Sequence, residues 1–331
     1  MTAKITTIKT YGIQRAPSPL VLWSRLGVAY AGALAGIILV PLNADLALLL
    51  VASYIVRMWG VEAGYHRYFS HRAYTAGRFT QFLLALTGAI SGLRGPLWWT
   101  QVHHVHHRET DKHDDPHSPI SHSFWYAQHG WFMDRRFLDT DLDKVREFAR
   151  FPELRWLNRH YSVAYFGLAA LLFLAGSLGW LGPNISGLGA MCWGGFVANV
   201  LLINVFSLVN SVGHLPNIPG GYRRFATDDA SLNRPLLALL TLGTGWHNNH
   251  HRYPGAARAG FAWYEVDFVY YSLRALAWLG IIGHLRKVPS SVLAEGNLKP
   301  PGTSEEEVED LSDGTEEAHS HERSRLQSGS R

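Results

Sequence analysis

Along the chain, long apolar stretches alternate with polar, histidine-rich ones. Tyr161–Leu181 and Gly187–Val209 are 21 and 23 residues without a charge, parted only by Gly-Pro-Asn-Ile-Ser. Each is long enough to cross the ~30 Å apolar layer of a bilayer as a helix. Gly27–Leu42 falls just short of a span, and adding Leu20–Leu26 completes it if Arg25 snorkels to the interface. After the polar break Leu42-Asn43-Ala44-Asp45 the chain is apolar again over Leu46–Val56, and Arg57 is expected to snorkel at the far end. The pattern predicts an all-α integral membrane protein with four transmembrane helices, two in each half.

The segments between are of another kind. Trp59 to His71 continues the second span beyond the membrane. Thr80–Leu93 is apolar but only 14 residues long, which fits an embedded or re-entrant piece ended by Arg94-Gly95-Pro96. Pro96 suits the first turn of a new helix. Arg108–His160 is polar and aromatic and is expected outside the bilayer. Val266–Arg286, interrupted by Arg274 and His284, is expected to be an amphipathic helix lying at the interface. From Lys299 onward the sequence is Pro, Ser, Glu and Gly with almost no large apolar residue, which predicts a disordered tail. The divisions are thus a cytosolic N-terminal arm (1–26), a membrane and catalytic domain (27–298) and the tail (299–331).

Charge orients this arrangement. Four spans place residues 1–26, 57–160 and 210–331 on one side, with essentially all the Lys and Arg, while the two short connecting loops have none. By the positive-inside rule that side is cytosolic. The N-terminus lacks a compact apolar core followed by a small-residue cleavage site, so no cleaved signal peptide is expected. The host membrane would be a bacterial inner membrane or the endoplasmic reticulum, and no nucleic-acid partner is expected.

The candidate chemistry is carried by histidine. The chain has 18 His and a single Cys, which excludes a disulfide framework and a cysteine zinc site; Cys192 reads as a small buried residue. The histidines fall into three groups, each just beyond an embedded segment: His66 with His71, His103 with His106 and His107, and His247 with His250 and His251. In the last two, positions i, i+3 and i+4 share one helical face. His104 points elsewhere. The i, i+5 spacing of His66 and His71 works if His66 ends a helix and His71 lies in the following turn. Three imidazoles on one stripe are costly to bury without partners, and a metal is the economical explanation. Eight imidazoles exceed what one ion can take, so two ions are implied. Imidazole suits zinc, copper, iron and nickel alike; oxygen chemistry on a lipid-like substrate would favour iron, since zinc has no redox chemistry.

At these residues the sequence resembles the membrane fatty acid desaturases, most closely their acyl-CoA, delta-9 branch. The resemblance runs from about Ser53 to Lys287. It rests on HRYFSH at 66–71, HHVHH at 103–107, DDPHSP at 114–119, NSVGH at 210–214 and GWHNNHH at 245–251. It implies a di-iron site with two Fe ions and nine histidine ligands, His214 being the ninth, and Asn210 holding a metal-bound water. It also implies Trp99 as a wall of the acyl tunnel. Implied partners are a fatty acyl substrate (an acyl-CoA), O2, the bilayer, and a separate electron donor of the ferredoxin or cytochrome b5 type. Two positions depart from the family pattern: Thr244 stands where a Glu often precedes Gly-Trp-His, and Ser207 stands where the animal enzymes carry a tunnel Trp. Both bear on chain length and position of attack rather than on the metals.

Glu62, Asp111, Asp114 and Asp115 are candidates to orient the ligand rings. Arg67, Arg108, Arg135, Arg136, Arg223 and Arg224 are candidates to receive an acidic headgroup. His113, His122, His129 and His160 read as ordinary hydrogen-bonding residues, while His117 has a case for a place behind the ligands. Other readings are a hydroxylase or a terminal-alkene-forming decarboxylase on the same scaffold, separable only by product. A metal transporter is disfavoured because its ligands belong near the bilayer midplane, whereas the two strongest spans carry no histidine.

Overall fold

In the computed structural model, residues 10–298 are described; the tail at 299–331 lies outside the described residues. The long helices are α1 (Pro19–Leu39), α2 (Ala44–Ser70), α3 (Arg78–Ala89), α4 (Pro96–Glu109), α5 (Pro152–Ser177) and α6 (Gly187–His214). Four of them, α1, α2, α5 and α6, are long and apolar enough to cross a bilayer. The chain is a four-span integral membrane protein. Leu34, Ile37, Ile38 and Leu39 stay exposed on α1, as a lipid-facing surface requires. α1 begins at Pro19, capped by Ser18, so the last part of the 1–26 arm is already span. The described part of the arm, from residue 10, is pinned: strand β1 (Ile13–Gln14) pairs antiparallel with β3 (Thr140–Asp141), and Asp143 accepts from the Tyr11 and Gly12 amides.

Arg57 does not snorkel. It is fully buried, donating to Ser53 Oγ at 3.1 Å and to the carbonyls of Ile90 (2.7 Å), Gly194 (3.3 Å) and Gly195 (3.0 Å). Those glycines lie in a π-helical stretch of α6, Ala190–Val197, where wider winding loosens the usual i to i−4 ladder. A charge at membrane depth is thus met by backbone oxygens.

A second π-helical stretch, Gly60–Ser70, ends α2 and explains the odd first spacing. With i to i+5 bonding, His71 N donates to His66 O at 3.2 Å, so residues five apart stack. His71 therefore caps the same helix that carries His66. This stretch packs closely on α3: a Cβ on Gly60 or Gly64 would come within 2.3 Å of Thr87 O or 2.6 Å of Leu84 O.

α3 has 12 residues, about 18 Å at 1.5 Å each, and does not span. Pro96 takes the first turn of α4, and the Trp98 amide donates to Asn158 Oδ1. α5 is kinked at His160, where its polar start meets its apolar run. Two further helices complete the site side: α7 (His247–Arg252) and α8 (Phe268–Trp278). α8 covers only half of the interfacial helix expected over 266–286. It ends at a Gly280 turn with φ +72°, and β4 (Ile282–Gly283) then pairs with β2 (Thr75–Ala76).

Candidate metal centre

Four elements bring the histidines together. α2 supplies His66 and His71, α4 supplies His103, His106 and His107, α6 ends at His214, and α7 supplies His247, His250 and His251. α7 has only six residues and could not hold its place alone. The two asparagines between its histidines fasten it. Asn248 Oδ1 accepts from the Arg224 and Phe225 amides at 2.8 Å each, and Asn249 Nδ2 donates to Glu265 Oε2 at 2.8 Å. Both side chains are completely buried.

The nine rings form two sets. His66, His71, His103, His107 and His250 make one; His106, His214, His247 and His251 make the other; within each, the candidate ligand atoms lie within 4.8 Å of one another. The closest approaches all run between Nε2 atoms. In the five-ring set they are His71–His103 at 2.8 Å, His66–His250 at 3.0 Å, His250–His107 at 3.0 Å and His107–His103 at 3.1 Å. In the four-ring set they are His214–His247 at 2.9 Å and His251–His247 at 3.0 Å.

The opposite nitrogens make these contacts meaningful. Carboxylates meet His66 Nδ1 (Glu62, 3.2 Å), His106 Nδ1 (Asp115, 3.0 Å), His214 Nδ1 (Asp111, 2.9 Å) and His251 Nδ1 (Asp229, 2.8 Å). A neutral ring with its proton on Nδ1 keeps a lone pair on Nε2, so four rings aim lone pairs inward. Lone pairs facing one another at about 3 Å repel unless a cation lies between them. Burial and the neighbouring rings push His71, His103, His107, His247 and His250 well below the ordinary imidazole value, which keeps them neutral and ready to coordinate. Burial also lowers His251, to about 4, against the pull of Asp229. At His106 burial opposes the charged ring, but Asp115, Asp111 and Asp229 outweigh it and raise the value. The donor set fits two metal ions.

The four-ring set is one donor shorter, and Asn210 stands beside it. Asn210 lines the same small cavity as His247 and His106, and its Nδ2 is buried without a hydrogen-bond partner. That cavity, of about 20 Å3, is walled on its apolar side by Trp99, Val102, Phe206 and Val209. Trp99 stacks on His103 at 4.7 Å between centroids.

Several sequence expectations find definite places. His104 turns away and meets Ser70 O at 2.9 Å. Asp114 is exposed beside His113 and orients no ligand ring. His117 is buried against His106 and Trp131, its ring 4.2 Å from that of His106. Thr244 donates to Glu62 Oε2, the same oxygen that meets His66, so the departure at 244 props an orienting carboxylate. Ser207 is fully buried with its Oγ unpartnered. Among the headgroup arginines, Arg67 is withdrawn: it is buried, 2.9 Å from Asp267 and 2.7 Å from Ala257 O. Arg224 is likewise held by Glu265. Asp229 was not among the expected orienting acids; it lies 22 positions before His251, and no local spacing signals it.

A second cavity, of about 60 Å3, lies between α1, α5 and α6 and includes Arg25, Arg94, Phe132 and Tyr165. Between it and the histidine-side cavity stand Trp98 and Trp131, stacked at 5.7 Å. Arg94 lies 4.0 Å over the Trp98 ring and Phe132 stacks on Trp131 at 4.1 Å.

Comparison with known proteins agrees with this geometry. The sequence profile of the family described as Fatty acid desaturase matches residues 15–279. The chain is 35% identical over 251 residues to the sn-2 palmitoyl-lipid 9-desaturase of Nostoc sp. (strain 36), covering 74% of this chain and 82% of that one. It is 33% identical over 245 residues to the Acyl-CoA C20 Delta5-desaturase of Anemone leveillei, 72% of each chain. To the sn-1 stearoyl-lipid 9-desaturase of Anabaena variabilis it is 30% identical over 228 residues, 69% of this chain and 78% of that one. Lipid-linked and CoA-linked names both occur, so the comparison stops short of the acyl-CoA branch. With two buried histidine sets gathered at the ends of α2 and α6 in a four-span chain, and a profile match over most of its length, the chain belongs to the fatty acid desaturase family.

Proposed function

We propose that the protein introduces a cis double bond into a saturated fatty acyl chain, with an acyl-CoA as substrate and delta-9 as the position. The observation that carries the reading is the pair of imidazole sets beside an apolar cavity walled by Trp99. His66, His71, His103, His107 and His250 would hold one iron; His106, His214, His247 and His251 would hold the other, with Asn210 acting through a water. Bound irons supply the redox chemistry by which O2, two electrons and two protons take two hydrogens from adjacent methylenes and leave as two waters. The electrons come from a separate protein of ferredoxin or cytochrome b5 type.

The chain's own residues do the positioning. Glu62, Asp115, Asp111 and Asp229 fix the ring orientations and keep the inward nitrogens unprotonated. Trp99, Val102, Phe206 and Val209 present the acyl chain and exclude bulk water. Arg25 Nη1, Arg94 Nε and Nη1, and Tyr165 Oη are buried without hydrogen-bond partners on the second cavity, which supports a polar or acidic headgroup there. The arginine-rich, histidine-bearing side faces the cytosol.

The test is a fatty-acid profile of cells with and without the protein, beside a His107→Ala control, followed by purified enzyme supplied with stearoyl-CoA or with the same chain on a phospholipid. A new internal cis double bond that vanishes in the control is expected, with turnover of the CoA ester. Hydroxy acids or terminal alkenes without new internal unsaturation would overturn desaturation; turnover of the phospholipid alone would overturn the CoA assignment.

A further inference from the structure

The largest cavity described, about 630 Å3, takes no part in the metal centre. Its wall combines Arg258, Arg274, Arg286 and Lys287 with Tyr270 and Leu293. Four cations around one opening call for anions, yet no ion pair to any of them occurs among the described residues. The carboxylates of the same stretch are engaged elsewhere: Asp267 with Arg67, Glu265 with Arg224, Glu295 with Arg252. Arg258 lies over the Tyr270 ring at 5.6 Å, and its Nε is buried without a partner. Gly255 leaves room for Arg286, since a Cβ there would sit 2.7 Å from Nη1.

The position of this cavity is as informative as its charge. α8, which forms part of the wall, buries Val269 and Leu273 and exposes Phe268, Tyr271, Arg274 and Trp278, at the three- and four-residue spacing of one helical face. Trp263 and Trp278 are each 86% exposed, with Leu279 and Ile281 beside them. Trp59 of the second span donates to Ser272 Oγ at 2.7 Å, which fastens α8 at the level where that span passes into its π-helical end. Exposed tryptophans and tyrosines at that level mark the membrane–water interface. An amphipathic helix with an aromatic face lies in that plane. The four cations then stand where phospholipid phosphates are.

We propose that this cavity binds the headgroup of an anionic phospholipid of the surrounding bilayer, the phosphate taken by Arg274, Arg286 and Lys287 and the chains lying along the exposed face of α8. The lipid is a bound component and not the substrate, so the site accepts chains that are already unsaturated.

The test is native mass spectrometry of the full chain in detergent, with dioleoyl phosphatidylglycerol or dioleoyl phosphatidylcholine added at equal concentration. Wild type is expected to retain phosphatidylglycerol preferentially. Arg274→Ala/Arg286→Ala should lose roughly 10- to 100-fold of that retention, with metal content unchanged as the check on folding. Lys144→Ala/Arg150→Ala removes the same charge elsewhere and should retain the lipid as wild type does. Equal retention of the two lipids by wild type, or equal losses in the two double variants, would overturn the proposal. So would retention of phosphatidylglycerol only after deletion of 299–331, which would assign the cavity to the acidic run beginning at Glu305.

Discussion

The two histidine sets differ in how they are supported. The five-ring set is close to self-sufficient: its rings crowd one another, and one carboxylate, Glu62, orients one member. The four-ring set has three of its four rings held by carboxylates from two loops: Asp111 and Asp115 in the turn after α4, and Asp229. It also borders the unpartnered amide of Asn210. A crowded set excludes other ligands; a short set propped by acids leaves a place where a water or a reactant can enter. The acids lower the cost of gathering positive charge at the more open centre.

This contrast can be broken experimentally. The largest effect is expected from removing a ring. His103→Ala in the five-ring set and His247→Ala in the four-ring set should each abolish product, and metal analysis should find each protein short of one ion. Loss of both ions from either variant would mean the sets are one unit.

Next come the orienting acids. Asp229→Asn and Asp111→Asn should each weaken metal retention about 10- to 100-fold, read by chelator competition, with the loss confined to one ion. Glu62→Gln should act on the other ion. If Asp229→Asn and Glu62→Gln deplete the same ion, the division into sets is wrong.

Acidification gives a third handle. His71, His103, His107, His247 and His250 have folded values well below the ordinary one. The unfolded chain therefore binds more protons once the pH drops under about 6.5, and stability falls in that direction. His106, raised by Asp115, has the opposite sign: its contribution is present at low pH and fades as the pH rises through its folded value. Chelated protein should show a lower Tm at pH 5 than at pH 8. Asp115→Asn should steepen that fall, because it removes the one opposing group. A flat profile in chelated protein would contradict the neutral assignment of the rings.

The smallest effect is expected at Thr244. Thr244→Val removes one of the two buried donors to Glu62 and leaves only His66 Nδ1, costing about 1–3 kcal/mol of stability in thermal melts, with a modest loss of the ion in the five-ring set. No change in either readout would make Thr244 a spacer.

How much of this was legible in the sequence differs between regions. The four spans were, because length and lack of charge are sufficient where every backbone group must be satisfied inside the helix. Arg57 was misread for the same reason: a charge near a span's end looks like a snorkelling one, and nothing local signals carbonyls opened by a π-helical stretch 137 residues away. The interfacial helix was drawn too long, since Gly280 and the β2–β4 pairing interrupt a run whose hydropathy continues. His103, His106 and His107 could be placed on one face by counting. His214 needed family resemblance, because a lone histidine after a span has no partner in spacing.

By itself, then, the sequence determined the residue types, the spans and two of the three histidine faces, because helical period and bilayer thickness are local constraints. Only the tertiary structure decided which rings share an ion, that the i, i+5 pair stacks through a π-helix, and that Asp229 stands behind His251. Those depend on elements far apart in the chain meeting at one point, and on buried nitrogens that must each find a partner there.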